Sequence, residues 1–504
     1  MTSLGIELGS TRIKAVLIDE SFRTVAQGAH EWENALEGGY WSYSLEAVEA
    51  GVRDAYARCA ADYEAKHGAK PGRIDAMGVS GMMHGYLAFD AGGRLLVPFR
   101  TWRNTTTAKA AAELSELFRF NIPQRWSIAH YRQAMLDGEA HVPAVARLTT
   151  IAGYVHMKLC GENVLGVGEA SGMFPVDPAT GRWNKRMLAA FDALAGGSLE
   201  EKLPAIRTAG EKAGVLTAEG AKWLDPAGTL QPGAIMAPPE GDAGTGMVAT
   251  NSVAARTGNV SAGTSIFAMV VLDGALKRHH PEIDVVTTPA GREVAMVHCN
   301  NCTNEINAWA ELLDPLYGKR PGGPNIYGAL FRESLNGAKD CGGVVVVPYL
   351  SGEPAAGTEE PSLAVIRKPE SEFTLANFAR AQIYSAFVSL KIGMETLREE
   401  GVETDSLTAH GGIFKDKGIA QQYLADALKT PVSCMETATE GGPWGMAVLA
   451  AYSASGAGEP LEKFLGEKVF AGAKSATLAP ERDDMDGFDR YTANFKEALK
   501  CLKR

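Results

Sequence analysis

Residues 3–19 contain two apolar runs, Leu4, Ile6 and Leu8 in the first and Ile13, Ala15, Val16, Leu17 and Ile18 in the second, joined at Gly9-Ser10-Thr11. Runs that are apolar on both faces suit central strands covered by helices on each side, so this pattern predicts strand, exposed turn, strand, with 24–32 as a third strand. From Ser44 to about Gly68 the period changes: Leu45, Val48, Val52, Tyr56, Cys59 and Tyr63 recur at spacings of three and four behind an N-capping serine, which predicts an amphipathic helix. Residues 74–90 return to a strand pattern broken by Gly78, Gly81 and Gly85, and a strand with that many glycines usually lies against something. Residues 145–230 read as helices and turn-rich loops with no chemistry that stands alone.

The opening pattern repeats. ARTGNVSAGTSIFAMVVLDG, residues 255–274, is again strand, turn at Gly263-Thr264-Ser265, apolar strand, and two halves that begin alike suggest an ancient duplication. At 504 residues the chain is too long for a single hydrophobic core. The boundary is expected after Asn251, giving domains 1–251 and 252–504. In the second half, 374–400 is apolar nearly all round and predicts a deeply buried helix, and Gly411-Gly412 and Gly441-Gly442 are glycine turns that feed helices. An amphipathic helix built on Phe488, Tyr491, Phe495, Leu499 and Leu502 closes the chain.

Composition narrows the classes. A formal net charge of −11 argues against a nucleic-acid or anionic-membrane partner, so an anionic ligand must be held by local groups. No apolar run approaches membrane-spanning length, and the start lacks a basic leader, so a soluble cytoplasmic protein is expected. Seven scattered cysteines fit reduced thiols rather than a disulfide framework. Cys299-x-x-Cys302 beside His298 lacks the second ligand pair that a structural zinc site needs.

The candidate chemistry lies in glycine-rich turns. PPEGDAGTG, 238–246, sets the Asp242 carboxylate among glycines, where backbone passes close to a ligand; a plain Asp-Gly turn has the same signature. The turns at Gly9-Ser10-Thr11 and Gly263-Thr264-Ser265 offer backbone N–H groups and hydroxyls to a phosphate, with Lys14 adding charge to the first. Neither GxxxxGK[ST] nor GxGxxG occurs in the context that a P-loop or Rossmann site requires.

Taken together, GIELGSTRIK, SGMMHG, EGDAGTG, SAGTS, HGG and EGGPWG resemble the motifs of the FGGY carbohydrate kinases along nearly the whole chain, with SGMMHG nearest to the SGQMHG of xylulokinases. The resemblance implies an α/β fold of two actin-like (ribonuclease H-like) domains, each a mixed sheet flanked by helices, with a cleft between them for ATP, Mg2+ and a sugar. It implies Asp242 as general base and metal-side carboxylate, Glu7 near the metal, and Met83, His84, Trp102 and Asn104 at the sugar. Gly9, Ser10, Thr11 and Lys14 would lie at the first phosphate loop, Gly263, Thr264 and Ser265 at the second, and Gly411, Gly412 and Gly442 on the adenine side. The partner implied is a small sugar or polyol, with a homodimer left open. Glu7 stands where the family has aspartate, Met82 where it has glutamine, and Trp102-Arg103-Asn104-Thr105-Thr106 replaces W-x-D-x-R. Ketose or polyol phosphorylation is the leading function, and a nucleotide-driven binding protein of the same fold, with no acceptor, is the alternative. Asp242 together with Met83-His84 favours the kinase, since that apparatus serves only to place and deprotonate a hydroxyl.

Overall fold

The computed structural model describes residues 1–317, 325–415, 418–435, 441–456, 458–473 and 475–502. The chain divides into two compact units, one of Met1–Val253 with Asp284–Val294 and Ala438–Gly472, the other of Ala254–Ile283, Ala295–Thr437 and Ala473–Arg504.

The first unit is built on β1 (Ser3–Leu8), β2 (Arg12–Ile18), β3 (Thr24–Glu31) and β4 (Ala76–Gly81), with short strands β5 (Ile235–Met236) and β6 (Glu240–Gly241). The order is β5-β4-β1-β2-β3, and β6 also pairs with β4. β1–β2 and β2–β3 are antiparallel, whereas β4 lies parallel to β1 and β6 parallel to β4. Helix α1 (Leu45–His67) begins where the Ser44 hydroxyl accepts from the Ala47 N–H and ends at Gly68 in the left-handed conformation. It buries Val48, Val52, Tyr56 and Cys59 in a core shared with Leu4, Ile6, Ile13 and Leu17.

The second sheet has the order β9-β10-β8-β7-β11-β12-β13, from β7 (Thr257–Ala262), β8 (Ile266–Val271), β9 (Ile283–Thr287), β10 (Glu293–Cys299), β11 (Ser406–Gly411), β12 (Val432–Met435) and β13 (Ser475–Leu478). β7–β8 is an antiparallel hairpin whose first strand lies parallel to the later strand β11, as β1 lies parallel to β4. The echo between residues 3–19 and 255–274 is thus a repeat of topology. The long buried helix is Leu375–Glu399, capped by the Thr374 hydroxyl; among its buried residues, Phe387 and Leu390 belong to the second unit's main core.

Two segments of the second half, 284–294 and 438–472, pack with the first unit, which departs from a simple division at residue 251. The reason is visible in the helix Gly441–Ala454, whose residues 445–453 are all buried: it lies so close to β1 that a Cβ on Gly5 would sit 2.0 Å from the Pro443 carbonyl oxygen. Gly442, expected with the adenine-side loops of the C-terminal domain, therefore belongs to the first unit. Glu440, which opens the EGGPWG motif, lies outside the described residues. Among the described residues no helix is long and apolar enough to cross a membrane.

Candidate active site

The turn between β1 and β2 is held from behind. Gly9 N–H donates to the Arg12 carbonyl at 3.0 Å, the Trp32 indole donates to Gly9 O at 2.7 Å, and the Tyr43 hydroxyl donates to Ser10 O at 2.5 Å. Trp32 and Tyr43 stack at 4.1 Å. With its carbonyl oxygens drawn toward this aromatic pair, the turn keeps acceptors away from an approaching anion. A cavity of about 650 Å³ lined by Glu7, Gly9, Thr11, Arg12, Lys14 and Trp32 opens beside it.

Asp242 is the first residue of the helix Asp242–Ala249, which follows directly from β6, so its carboxylate stands at a helix N-terminus. Its Oδ1 accepts from Ala243 N–H at 2.9 Å and from Met83 N–H at 3.4 Å. Solvent reaches this side chain, yet protein surrounds it densely, and that desolvation raises its carboxyl to about 6 against the pull of those N–H groups. Glu7, opposite Lys14 in the β1–β2 register, is pushed up to about 7, first by burial and then by the charge of Asp242, with Lys14 opposing. A carboxyl whose ionisation is disfavoured by a neighbouring carboxylate suits a hard cation between the two. Magnesium keeps several waters and needs only one or two carboxylates, so Glu7 and Asp242 fit it.

Behind Asp242 lie two further acids that the sequence reading did not single out. Glu240 and Glu169 are 1% and 0% exposed. Glu240 accepts from Glu169 N–H at 3.0 Å and Gly168 N–H at 3.4 Å, which ties β6 to the short helix Val167–Ser171. Glycines make the fit: a Cβ at Gly166 would lie 2.1 Å from Glu240 Oε1, and one at Gly241 would lie 2.7 Å from Glu169 Oε2. Burial raises Glu240 to about 8 and lifts Glu169 well above the carboxylate range, with Glu240 and Asp242 adding to the effect on Glu169.

Met83 and His84 follow β4. His84 has φ of +72° and its Nδ1 lies 2.9 Å from the Gly172 carbonyl, an acceptor only, so Nδ1 carries the proton and Nε2 is left as an acceptor. Burial, and then the nearby Arg125 charge, hold this imidazole neutral by lowering it to about 3. The Met83 N–H contact joins the second Met of SGMMHG to the D of EGDAGTG, one residue before the unusual backbone of His84.

Other expected residues land differently. Asn104 is buried and its amide is spent on backbone: Oδ1 accepts from Trp41 N–H at 2.9 Å, while Nδ2 donates to Trp41 O at 2.9 Å and Thr101 O at 3.0 Å. It latches the strand Tyr40–Ser42 instead of presenting an amide to a ligand. Trp102 is exposed and its indole donates to Ser10 Oγ at 3.3 Å, in the turn between β1 and β2. Met82, 1% exposed, packs in the core of the first unit, so exchanging glutamine for methionine there changes packing rather than the polar lining of a pocket. Gly442 faces Glu7.

In the second unit, the Gly263-Thr264-Ser265 turn is buttressed in the same manner as the first. Its Gly263 carbonyl accepts from the Thr303 hydroxyl at 2.8 Å and its Thr264 carbonyl from Cys302 N–H at 2.9 Å. Cys299 and Cys302 are both buried, and the thiols are pushed up by burial. Gly411 ends β11 opposite Ala262, and a cavity of about 420 Å³ lined by Gly263, Thr303, Asn307, Tyr327, Phe331 and Gly412 adjoins the turn. Apolar rings and amides beside a glycine turn suit a flat heteroaromatic base.

The N-terminal domain of the FGGY family of carbohydrate kinases matches residues 2–227, and its C-terminal domain matches residues 258–454. A xylulose kinase of Haemophilus influenzae is 23% identical, the alignment covering 90% of this chain and 91% of that protein. A ligand-bound xylulose kinase from Lactobacillus acidophilus superposes with a TM-score of 0.82 at 16% identity, over 99% of this chain and 98% of that one. A gluconate kinase from the same organism gives 0.80 at 16% identity over the same shares, so the backbone is shared by proteins named for different sugars. Matched by both of its domains, the chain belongs to the FGGY family of carbohydrate kinases, phosphotransferases that act on a small carbohydrate with ATP as co-substrate.

Proposed function

We propose that the chain phosphorylates a hydroxyl of a ketose or polyol, in the manner of the xylulose kinases it resembles, with Asp242 as general base. The observation that carries this reading is the Met83 N–H to Asp242 Oδ1 contact of 3.4 Å, which sets the carboxylate beside the Met83-His84 pair. His84 Nε2, unprotonated, accepts from an acceptor hydroxyl and helps to fix it. As that hydroxyl oxygen bonds to the γ-phosphorus, its proton passes to Asp242 and the bond from phosphorus to the ADP oxygen breaks, giving sugar phosphate and ADP. A base near 6 is ionised at neutral pH, yet basic enough to take the proton as the O–P bond forms.

The first turn, Gly9-Ser10-Thr11 with Lys14, is proposed to meet nucleotide phosphate, and Gly263-Thr264-Ser265 with Gly411 and Gly412 to meet the nucleotide in the second unit. Magnesium bound by Glu7 and Asp242 would neutralise charge on the transferred group. Family membership favours this kinase over a nucleotide-driven binding protein of the same fold.

ADP release measured against a panel of pentuloses, hexuloses and polyols tests the reading. Turnover that depends on one or a few of these acceptors supports it. ATP hydrolysis indifferent to every acceptor defeats it.

A further inference from the structure

The loop before the helix Ser127–Leu136 is stapled to the His84-Gly85 turn from two sides. Gly85 N–H donates to the Arg125 carbonyl at 3.0 Å, and the Ser127 hydroxyl donates to the Gly85 carbonyl. The Trp126 ring stacks along His84 with centroids 6.1 Å apart, and Gly172, which accepts from His84, precedes Met173, whose carbonyl accepts from Ile128 N–H at 3.2 Å. Arg125 is thereby held next to His84, close enough for its charge to bear on that ring.

The Arg125 guanidinium pairs through Nη2 with Asp284 Oδ2, while Asp284 Oδ1 accepts from Asn121 Nδ2 at 2.7 Å. Among the described residues its other N–H groups have no protein partner, and the Arg125 side chain is 26% exposed against 12% for Asp284, so both members of the pair keep some exposure to solvent. An ion pair in this state has no net charge but presents donors and acceptors together. A carboxylate would find its attraction to Arg125 offset by repulsion from Asp284 and, farther on, from Asp242 and Glu7. Neighbouring hydroxyls, each both donor and acceptor, match both members at once.

Resting on the reading that His84 lines the acceptor site, we infer that the Arg125–Asp284 pair is a specificity-determining element that binds vicinal hydroxyls of an uncharged acceptor and disfavours sugar acids. The contacts run from Asp242 through Met83 and His84 to Arg125, so the pair meets hydroxyls remote from the one phosphorylated. Asp284 reaches this place because the 284–294 segment packs with the first unit, where Thr287 N–H donates to Ser171 Oγ at 2.9 Å and Thr287 Oγ1 donates to Val167 O at 3.0 Å.

The test is steady-state kinetics on pentuloses, hexuloses, polyols and the matching aldonates, for the unaltered chain, Arg125→Met and Asp284→Asn. The unaltered chain is expected to prefer an uncharged acceptor. In each variant KM for that acceptor should rise about tenfold or more, with kcat within about threefold and KM for ATP unchanged, as for loss of a charge-assisted hydrogen bond to a bound hydroxyl. A deoxy analogue lacking a remote hydroxyl should be a poor substrate of the unaltered chain and no poorer for Arg125→Met; a purely structural role would lower kcat and act alike on every acceptor. Unchanged acceptor KM in both variants, or a preferred aldonate, overturns the inference while leaving the kinase reading intact. No turnover of any ketose or polyol by the unaltered chain overturns both. Asp284→Asn, isosteric, carries the test if Arg125→Met does not fold.

Discussion

Glu7 Oε2 fills the place that a side chain on Gly442 would need: a Cβ there would lie 1.5 Å from it. The carboxylate inside the GIELGSTRIK motif is thus shaped by a glycine of EGGPWG more than four hundred residues along the chain, and that glycine contributes by leaving space.

Gly442→Ala should therefore displace the Glu7 carboxyl, a movable side-chain end, and leave the fold largely intact. Gly5→Ala pushes instead against the Pro443 carbonyl, which cannot move without shifting a helix. The expected outcome is a modest change in Tm with a raised magnesium requirement for Gly442→Ala, and a loss of about 3 kcal/mol for Gly5→Ala, as for overpacking against backbone. Thermal unfolding of both, with a magnesium titration of the first, checks the contrast; equal destabilisation by the two would contradict it.

Glu7 itself should act on magnesium dependence. Glu7→Gln is expected to raise the magnesium concentration for half-maximal rate and depress the saturated rate, whereas Glu7→Asp keeps substantial activity because the charge survives on a shorter stem. If Glu7 only balances Lys14 across the hairpin, both variants will titrate like the unaltered chain.

Asp242→Asn should leave nucleotide binding nearly intact and lower the chemical rate by roughly a hundred- to ten-thousand-fold, the range for a lost general base. Both Asp242, near 6, and Glu7, near 7, must be ionised to serve as proposed, so kcat/KM should fall as pH drops below about 7. A bound cation favours the ionised forms, so saturating magnesium should move this acid limb to lower pH. A limb that stays fixed at every magnesium concentration would separate these two groups from the metal.

Much of this was legible before any coordinates. The apolar strand–turn–strand runs at 3–19 and 255–274 and the spacing in α1 are local signals, and the structure keeps them as hairpins and a capped helix. What stayed hidden was long-range. Nothing local in GGPWGMAVLAAY says that this helix packs against β1 rather than in the second unit, because its small residues suit any close contact. Asn104, set at the sugar by resemblance, instead spends its amide on the backbone of Trp41, a contact across 63 residues that no local pattern announces. Glu169 and Glu240 carry a local signal too, since Gly166 and Gly168 precede the one and Gly241 follows the other. Glycines crowded around an acid were the available signal, and they mark space left for a carboxyl.

Glu240 gives the last prediction, about stability. Its carboxyl is buried and held near 8 in the folded chain, against 4.5 for a free glutamate, so between these values the folded state binds more protons than the unfolded one. Stability from this group is then fully present below about pH 4.5 and is lost as pH rises through about 8, the reverse of a salt-bridged acid; Glu169, shifted in the same direction, adds to the trend. Glu240→Gln retains a carbonyl acceptor for the N–H groups at 168 and 169 but cannot ionise. Thermal unfolding of both proteins from pH 5 to pH 9 should show near-equal Tm at the acid end, with the glutamine variant gaining on the unaltered chain as pH rises. Because surface groups titrate alike in both, the difference isolates position 240. A difference that stays constant across that range would mean that Glu240 ionises in the folded chain as easily as in water, and that the buried acid layer behind Asp242 is not held neutral.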